Sequence, residues 1–175
     1  MGNFEGLSEY LKAISASTDI INTRFSVGDD LINAILNAKS ARADAVGIKL
    51  NVSGSVKSAS SSYDLADIAS LVGNVLDNAI EACLRIPPES LPKDEQPEIT
   101  LTLSETENEL NIYQKNPTDG KVRMIHGLLT SSKNNPNHGI GSGLIDSIVE
   151  KYHGHIDRTI KDNLFEIFIQ LRNAS

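Results

Sequence analysis

The chain has 175 residues, enough for one sizeable hydrophobic core with at most a short appendage. Sixteen basic residues stand against twenty-three acidic ones, and the net charge of −7 argues against a nucleic-acid binder, which would concentrate positive charge. The single cysteine, Cys83, excludes an internal disulfide, and no secretory leader, membrane-length apolar run or internal repeat is visible.

In chain order, Phe4 to Ile21 has the pattern of a short helix and Asp29 to Ala45 that of a better one. Val46, Ile48, Leu50 and Val52 then alternate as a strand, followed by a serine-rich loop from Ser53 to Ser62. The most informative segment is next, LVGNVLDNAIEAC at 71–83. Leu65, Ile68, Val72, Val75, Leu76, Ala79, Ile80 and Cys83 recur at three- and four-residue steps, which predicts an amphipathic helix ending at Pro87 and Pro88. Cys83 lies on its apolar stripe and is expected to be a buried, inert thiol. Asp67, Ser70, Asn74, Asn78, Glu81 and Arg85 occupy the other side. The i, i+4 spacing puts the carboxamides of Asn74 and Asn78 one turn apart on one face. Two neutral oxygen donors stacked in this way can hold Mg²⁺ together with the phosphates it bridges. Asparagine on a polar helix face is usually just solvated, so this pair gains weight only with a second phosphate element.

A proline-rich loop from Pro87 to Pro97 leads to strands at Glu98–Leu103 and Leu110–Gln114. Residues 116–138 are weakly periodic and contain LLTSSKNNPNHG, the pattern of a functional lid in which Lys133 and the hydroxyls of Thr130, Ser131 and Ser132 face phosphates. The second phosphate element is NHGIGSGLIDSIVEKYHGHI at 137–156. Gly139, Gly141 and Gly143 precede an amphipathic helix built on Leu144, Ile145, Ile148, Val149 and Tyr152 and ended by Gly154. Bare amides at such a helix start seat anions. Other glycine-loop readings fail: GxGxxG counted from Gly139 meets Leu144, and no GxxxxGK[ST] occurs. His155–Ile160 and Leu164–Leu171 form a hairpin around Lys161, Asp162 and Asn163. Elements in this order suit an α/β sandwich, a mixed sheet covered on one face by helices.

An asparagine-bearing helix, a strand and turn, a Ser/Thr/Lys lid and a glycine box opening another helix resemble, in that order, the Bergerat-fold (GHKL) ATPases, the superfamily of gyrase, large heat-shock chaperones, histidine kinases and mismatch-repair proteins. NVLDNAIEA, TSSK and HGIGSGLIDSIVEKYHG, with DDLINAILNAKSARADAVGIKL upstream, most resemble the sensor histidine kinases of the quorum-sensing, accessory-gene-regulator type, over roughly residues 28 to 171. The resemblance implies ATP and Mg²⁺ as cofactors, with Asn78 the main metal ligand and Asn74 its partner toward metal or phosphate. It also implies Gly139 and Gly141 against the phosphates, and Thr130, Ser132, Lys133 and His138 in the lid. Hydrolytic members carry a glutamate where Asn74 stands, and asparagine cannot take a proton from water at neutral pH. The expected chemistry is therefore transfer of the γ-phosphate to a protein side chain, with slow hydrolysis.

Two departures from the family pattern stand out. The DxGxG box, whose aspartate accepts from the adenine amine, is replaced by IYQKNPTDGKV. Asn116 is nearest that aspartate, Asp119 is the alternative, and a plain turn from Asn-Pro and Asp-Gly serves as well. Ser142 stands where the glycine box usually has leucine, and serine there can cap the helix. A histidine kinase also needs an acceptor histidine on a dimerising helix, yet His126, His138, His153 and His155 all follow the asparagine helix. The expectation is thus a catalytic fragment, with residues 1–27 the tail of the dimerisation helix and linker, and 28–175 the ATP-binding domain. Its partners would be the phosphoacceptor helix of a homodimeric, membrane-anchored parent and, indirectly, a response regulator, with this part in the cytoplasm. The alternatives are an anti-sigma type protein serine kinase and an interaction domain with a degenerate ATP site.

Overall fold

The computed structural model describes residues 24–57, 63–92, 95–120, 123–125, 128–130 and 140–172, with backbone alone for 123–125, 128–130 and 140–142. The helix expected at Phe4–Ile21 lies outside the described residues. Helix α1, Asp30–Ala45, starts where Asp29 Oδ1 accepts from the amides of Leu31 and Ile32, satisfying two donors that have no partner within the helix. Ahead of it, buried Val27 is fixed by its amide donating to Asn33 Oδ1 at 2.7 Å. Helix α2, Leu65–Leu84, is the asparagine helix, capped by Asp64 on the amide of Ala66. Its buried stripe includes Ile68, Val72, Val75, Leu76, Ala79, Ile80 and Cys83, as the periodicity predicts, whereas Leu65 in its first turn is exposed. Each fully buried Leu, Ile or Val contributes roughly 1.5–3 kcal/mol. Helix α3 spans Ile140–Lys151.

Five strands form the main sheet: β1 Lys49–Ser55, β2 Glu98–Glu105, β3 Glu109–Pro117, β6 His155–Lys161 and β7 Leu164–Arg172, in the order β1-β2-β3-β7-β6. Only β1 and β2 pair in parallel, so the sheet is mixed. Alternation along the strands separates two faces. Leu50, Ile99, Leu101, Leu103, Leu110, Ile112, Ile167, Ile169 and Leu171 are buried on one face, in the same core cluster as the apolar stripe of α2. Phe168 on the other face is exposed. Helices therefore cover one face, the α/β sandwich the sequence predicts. A separate two-stranded ribbon joins β4, Arg123–Ile125, to β5, Leu128–Thr130. No helix among the described residues is long and apolar enough to cross a membrane.

Several boundaries differ from the sequence expectation. Val46 is not in the strand: it caps α1 at 45% exposure, and Gly47 turns the chain before β1. Ser53 to Ser55, expected in a loop, continue β1, because pairing with Thr102 to Ser104 of β2 supplies the hydrogen bonds that serine side chains would otherwise compete for. Gly54 is needed there, since a Cβ would lie 1.8 Å from the Leu103 carbonyl oxygen. Strand β3 runs on through Asn116 and Pro117, held by β7 partners Phe165 and Leu164. The last hairpin turns on Asp162 and Asn163 alone, both at positive φ, with Lys161 already paired to Leu164.

Candidate functional site

On α2 the two asparagines are half-buried, one turn apart on the side away from Leu76 and Ile80. Asn74 Nδ2 donates 2.7 Å to the Ser70 carbonyl, and this bond fixes the amide orientation. The Asn74 Oδ1 is consequently the atom left to face outward, as a metal or phosphate-water partner requires. Asn78 lines a small, nearly filled pocket with Val75 of α2, Ile145 of α3, Gln114 of β3, Phe165 and Ile167 of β7 and Arg158 of β6. A helix wall and a strand floor thus meet beside one of the two predicted ligands.

Asn116, the residue nearest the family's aspartate, is fully buried. Its Nδ2 donates 2.7 Å to the Pro117 carbonyl, and its Oδ1 accepts from Gln114 Nε2 at 2.8 Å. Asp119 is half-buried beyond the end of β3. Thr118 is 4% exposed, and its Oγ1 has no hydrogen-bond partner among the described residues. Arg158 is 9% exposed; Nη2 donates to Asp146 Oδ1 of α3, while Nε has no partner among the described residues. Buried polar atoms without partners are rare and expensive, and of these two residues Arg158 lines the pocket beside Asn78.

The remaining expected residues divide by location. Thr130 closes β5 and Gly141 lies in the first turn of α3, each described by backbone alone. Ser132, Lys133, His138 and Gly139 lie outside the described residues. Gln114 and Arg158 were missed by sequence reasoning; following strand parity inward from Ile112 and from Ile156 would have found both. Cys83 is buried, and burial pushes its thiol up to about 12, with the Arg85 charge a smaller opposing influence. It is no nucleophile at neutral pH.

The site fits a magnesium-bound nucleotide triphosphate in its donor chemistry. Hard oxygen donors on Asn74 and Asn78 match Mg²⁺, which takes only one or two protein ligands and leaves the rest to phosphates and water. Among the described residues no cluster of three or more His, Cys, Asp or Glu offers an all-protein metal cage.

Similarity to known proteins agrees with this geometry. The chain is similar to the nucleotide-free catalytic domain of the histidine kinase ThkA, at TM-score 0.56 and 16% identity over 82% of this chain and 90% of that one. A mycobacterial sensor histidine kinase, MprB, gives 0.55 and 18% over 82% and 93%. The histidine kinase domain of a blue-light activated kinase from Erythrobacter litoralis gives 0.56 and 19% over 94% and 72%. At such identities these structures share the fold. No curated protein sequence matches the chain. Residues 63–172, more than half the chain and including both asparagines, the pocket and the glycine box, match the family model of the GHKL domain. The chain belongs to the GHKL family of ATP-binding domains, with the fold of histidine kinase catalytic domains.

Proposed function

We propose that this chain is the catalytic domain of a two-component sensor histidine kinase of the accessory-gene-regulator type, binding Mg²⁺–ATP and passing the γ-phosphate to a histidine on a dimerisation helix of the same parent protein. The observation that carries this reading is the asparagine pair on α2: Asn78 lines the pocket, and Asn74 is turned by Ser70 so that its oxygen is the free end. Asn78 and Asn74 would hold the metal, which draws charge from the phosphates as the γ-phosphoryl group leaves. Gly139 and Gly141 would offer amides to the phosphates, and Thr130, Ser132, Lys133 and His138 would close over them.

In the transfer itself a histidine nitrogen attacks the γ-phosphorus, the bond to the bridging oxygen breaks, and ADP leaves with the negative charge. Nothing at position 74 can accept a proton from water, since a carboxamide is not a base at neutral pH, so water competes poorly as the nucleophile. Membrane anchoring of the parent and service to a response regulator belong to the same proposal and come from the likeness to sensor kinases.

Supplying the cognate dimerisation helix in trans with γ-labelled ATP tests the reading. Acid-labile phosphate is expected on the helix and none on this chain. Label that survives acid, on serine, would support the protein serine kinase alternative instead.

A further inference from the structure

Helix α1 carries asparagine at positions 33 and 37, one turn apart, where Lys, Glu or Gln would serve a helix better. Both are engaged by the segment ahead of the helix. Asn33 Oδ1 accepts from the Val27 amide at 2.7 Å, and Asn37 Oδ1 accepts from the amides of Arg24 at 3.1 Å and Phe25 at 3.4 Å. The Asn37 amide is held in that orientation because its Nδ2 donates 2.8 Å to the Asn33 carbonyl. The Arg24 guanidinium adds bonds to Ser40 Oγ at 2.9 Å and Asp44 Oδ2 at 2.7 Å. The segment therefore lies along α1 and runs opposite to it, with Arg24 toward Asp44 and Val27 beside Asn33.

Helical geometry says which side of α1 this is. At ~100° per residue, Asn33, Asn37, Ser40 and Asp44 share an arc of ~60°. Lys39 and Arg42, which reach Asp77 of α2, point to nearly the opposite side. Helix α1 thus stands between the segment and the asparagine helix, and at Arg24 the chain enters the domain on the side away from α2. The two ends of the segment are held unequally. Val27 is buried, its carbonyl accepts from the Val56 amide at 2.7 Å, and Gly28 follows at φ +107°, where a Cβ would lie 2.3 Å from the Val56 carbonyl oxygen. That end is anchored in the core. Arg24 is exposed and Phe25 half-buried, their amides share one acceptor, and the Arg24–Asp44 ion pair is open to solvent and worth little.

We propose that residues 24–26 are a releasable strap: zipped onto α1 it restrains the phosphoacceptor helix expected upstream, and unzipped from the Val27 anchor it lets that helix reach the γ-phosphate. This rests on the kinase reading and adds a regulation to it. Three freed residues lengthen the tether by about 10 Å, the width of the helix it has to clear. The amide oxygens of Asn33 and Asn37 accept from backbone N–H groups, so the ladder holds the strap by its main chain and forms again each time the segment returns.

Hydrogen exchange on the full chain tests the strap itself. The Val27 amide is expected to be as protected as those in the middle of α1, and the Arg24 and Phe25 amides to open at least about tenfold more often while remaining protected relative to unstructured chain. Equal protection at all three, or none at Arg24 and Phe25, overturns the releasable strap. The tether role is tested by Asn37→Ala in the parent protein that carries the acceptor helix and this domain on one chain. Transfer within that chain is expected to rise about fivefold, the worth of one neutral hydrogen bond, while transfer to a separately supplied acceptor helix keeps the wild-type rate. An unchanged or slower rate within the chain, or an equal rise in both formats, overturns the tether role. Arg24→Ala, which cuts only the side-chain bonds to Ser40 and Asp44, should act in the same direction, and opposite effects of the two variants count against the proposal. Transfer in neither format would remove the kinase reading and the tether role with it, while the exchange result still decides the strap.

Discussion

Asn74, Gln114 and Cys83 show how far single residues were legible before any fold was known. The asparagine pair needed only helix geometry, since i, i+4 spacing fixes a shared face whatever packs against the other side. Gln114 was passed over because a polar residue is not expected on the buried parity of Leu110 and Ile112. Pairing with Leu101 and Ile167, both buried, agrees with the parity from Ile112 and sets it on the core face. The Asn116 amide was legible as a hydrogen-bonding group, but its partners were not, because Gln114 is engaged through strand parity. Cys83 yields a direct check. With its thiol pushed up to about 12 by burial, it should resist alkylation at mildly alkaline pH in the folded chain and react fully in denaturant. Stoichiometric labelling of the native protein would mean that α2 does not bury this side as described.

Between elements, two polar clusters lock α2 in place, and neither was visible from local pattern. Lys39 of α1, its side chain 9% exposed, donates to both oxygens of Asp77 at 2.7 Å, and Arg42 donates to the same carboxylate at 2.6 Å. Asp77→Ala leaves a buried ammonium without that partner and is expected to destabilise the domain by about 2 kcal/mol, read from urea unfolding midpoints. A loss below a few tenths would show the pair to be solvated. At the other end, Asp67 of α2 accepts from Lys151 of α3 and from the hydroxyl of Tyr152, which also accepts from the Asp64 amide. Burial alone would raise the Asp67 carboxyl, but these hydrogen bonds outweigh it and hold the group below its ordinary 3.8. A carboxyl lowered in the folded state contributes stability that is fully present above 3.8 and is lost as pH falls through the folded value. Asp67→Asn should therefore be less stable than wild type at neutral pH, with the gap closing in unfolding curves taken progressively below pH 3.8. A gap independent of pH would trace the loss to packing instead. These contacts join residues far apart in sequence, which is why periodicity could find the helices and not their fastenings. Gly154 belongs to the same joint: a Cβ there would lie 2.3 Å from the Gln170 carbonyl oxygen, so α3 can turn into β6 this close to β7 only with glycine.

At the scale of the whole molecule, alternation and helical period were enough for the class of fold, because each strand has one buried face and each helix one stripe. Strand ends were less legible. Ser53 to Ser55 and Asn116 to Pro117 carry turn-forming residues whose conformation is decided by neighbouring strands rather than by their own preferences. The glycine box was recognisable as the start of a helix, and α3 begins within it at Ile140. The account as a whole requires that this face bind a magnesium-bound nucleotide through α2. Calorimetric titration of wild type and Asn78→Ala with ATP, each with Mg²⁺ and with the metal chelated, tests that requirement most directly. Wild type should bind more tightly with Mg²⁺, and Asn78→Ala should lose that increment, about tenfold or more in affinity, while unfolding at the same denaturant midpoint as wild type because the side chain is on a polar face. Equal, Mg²⁺-dependent affinity in the two proteins would contradict the role given to the asparagine pair.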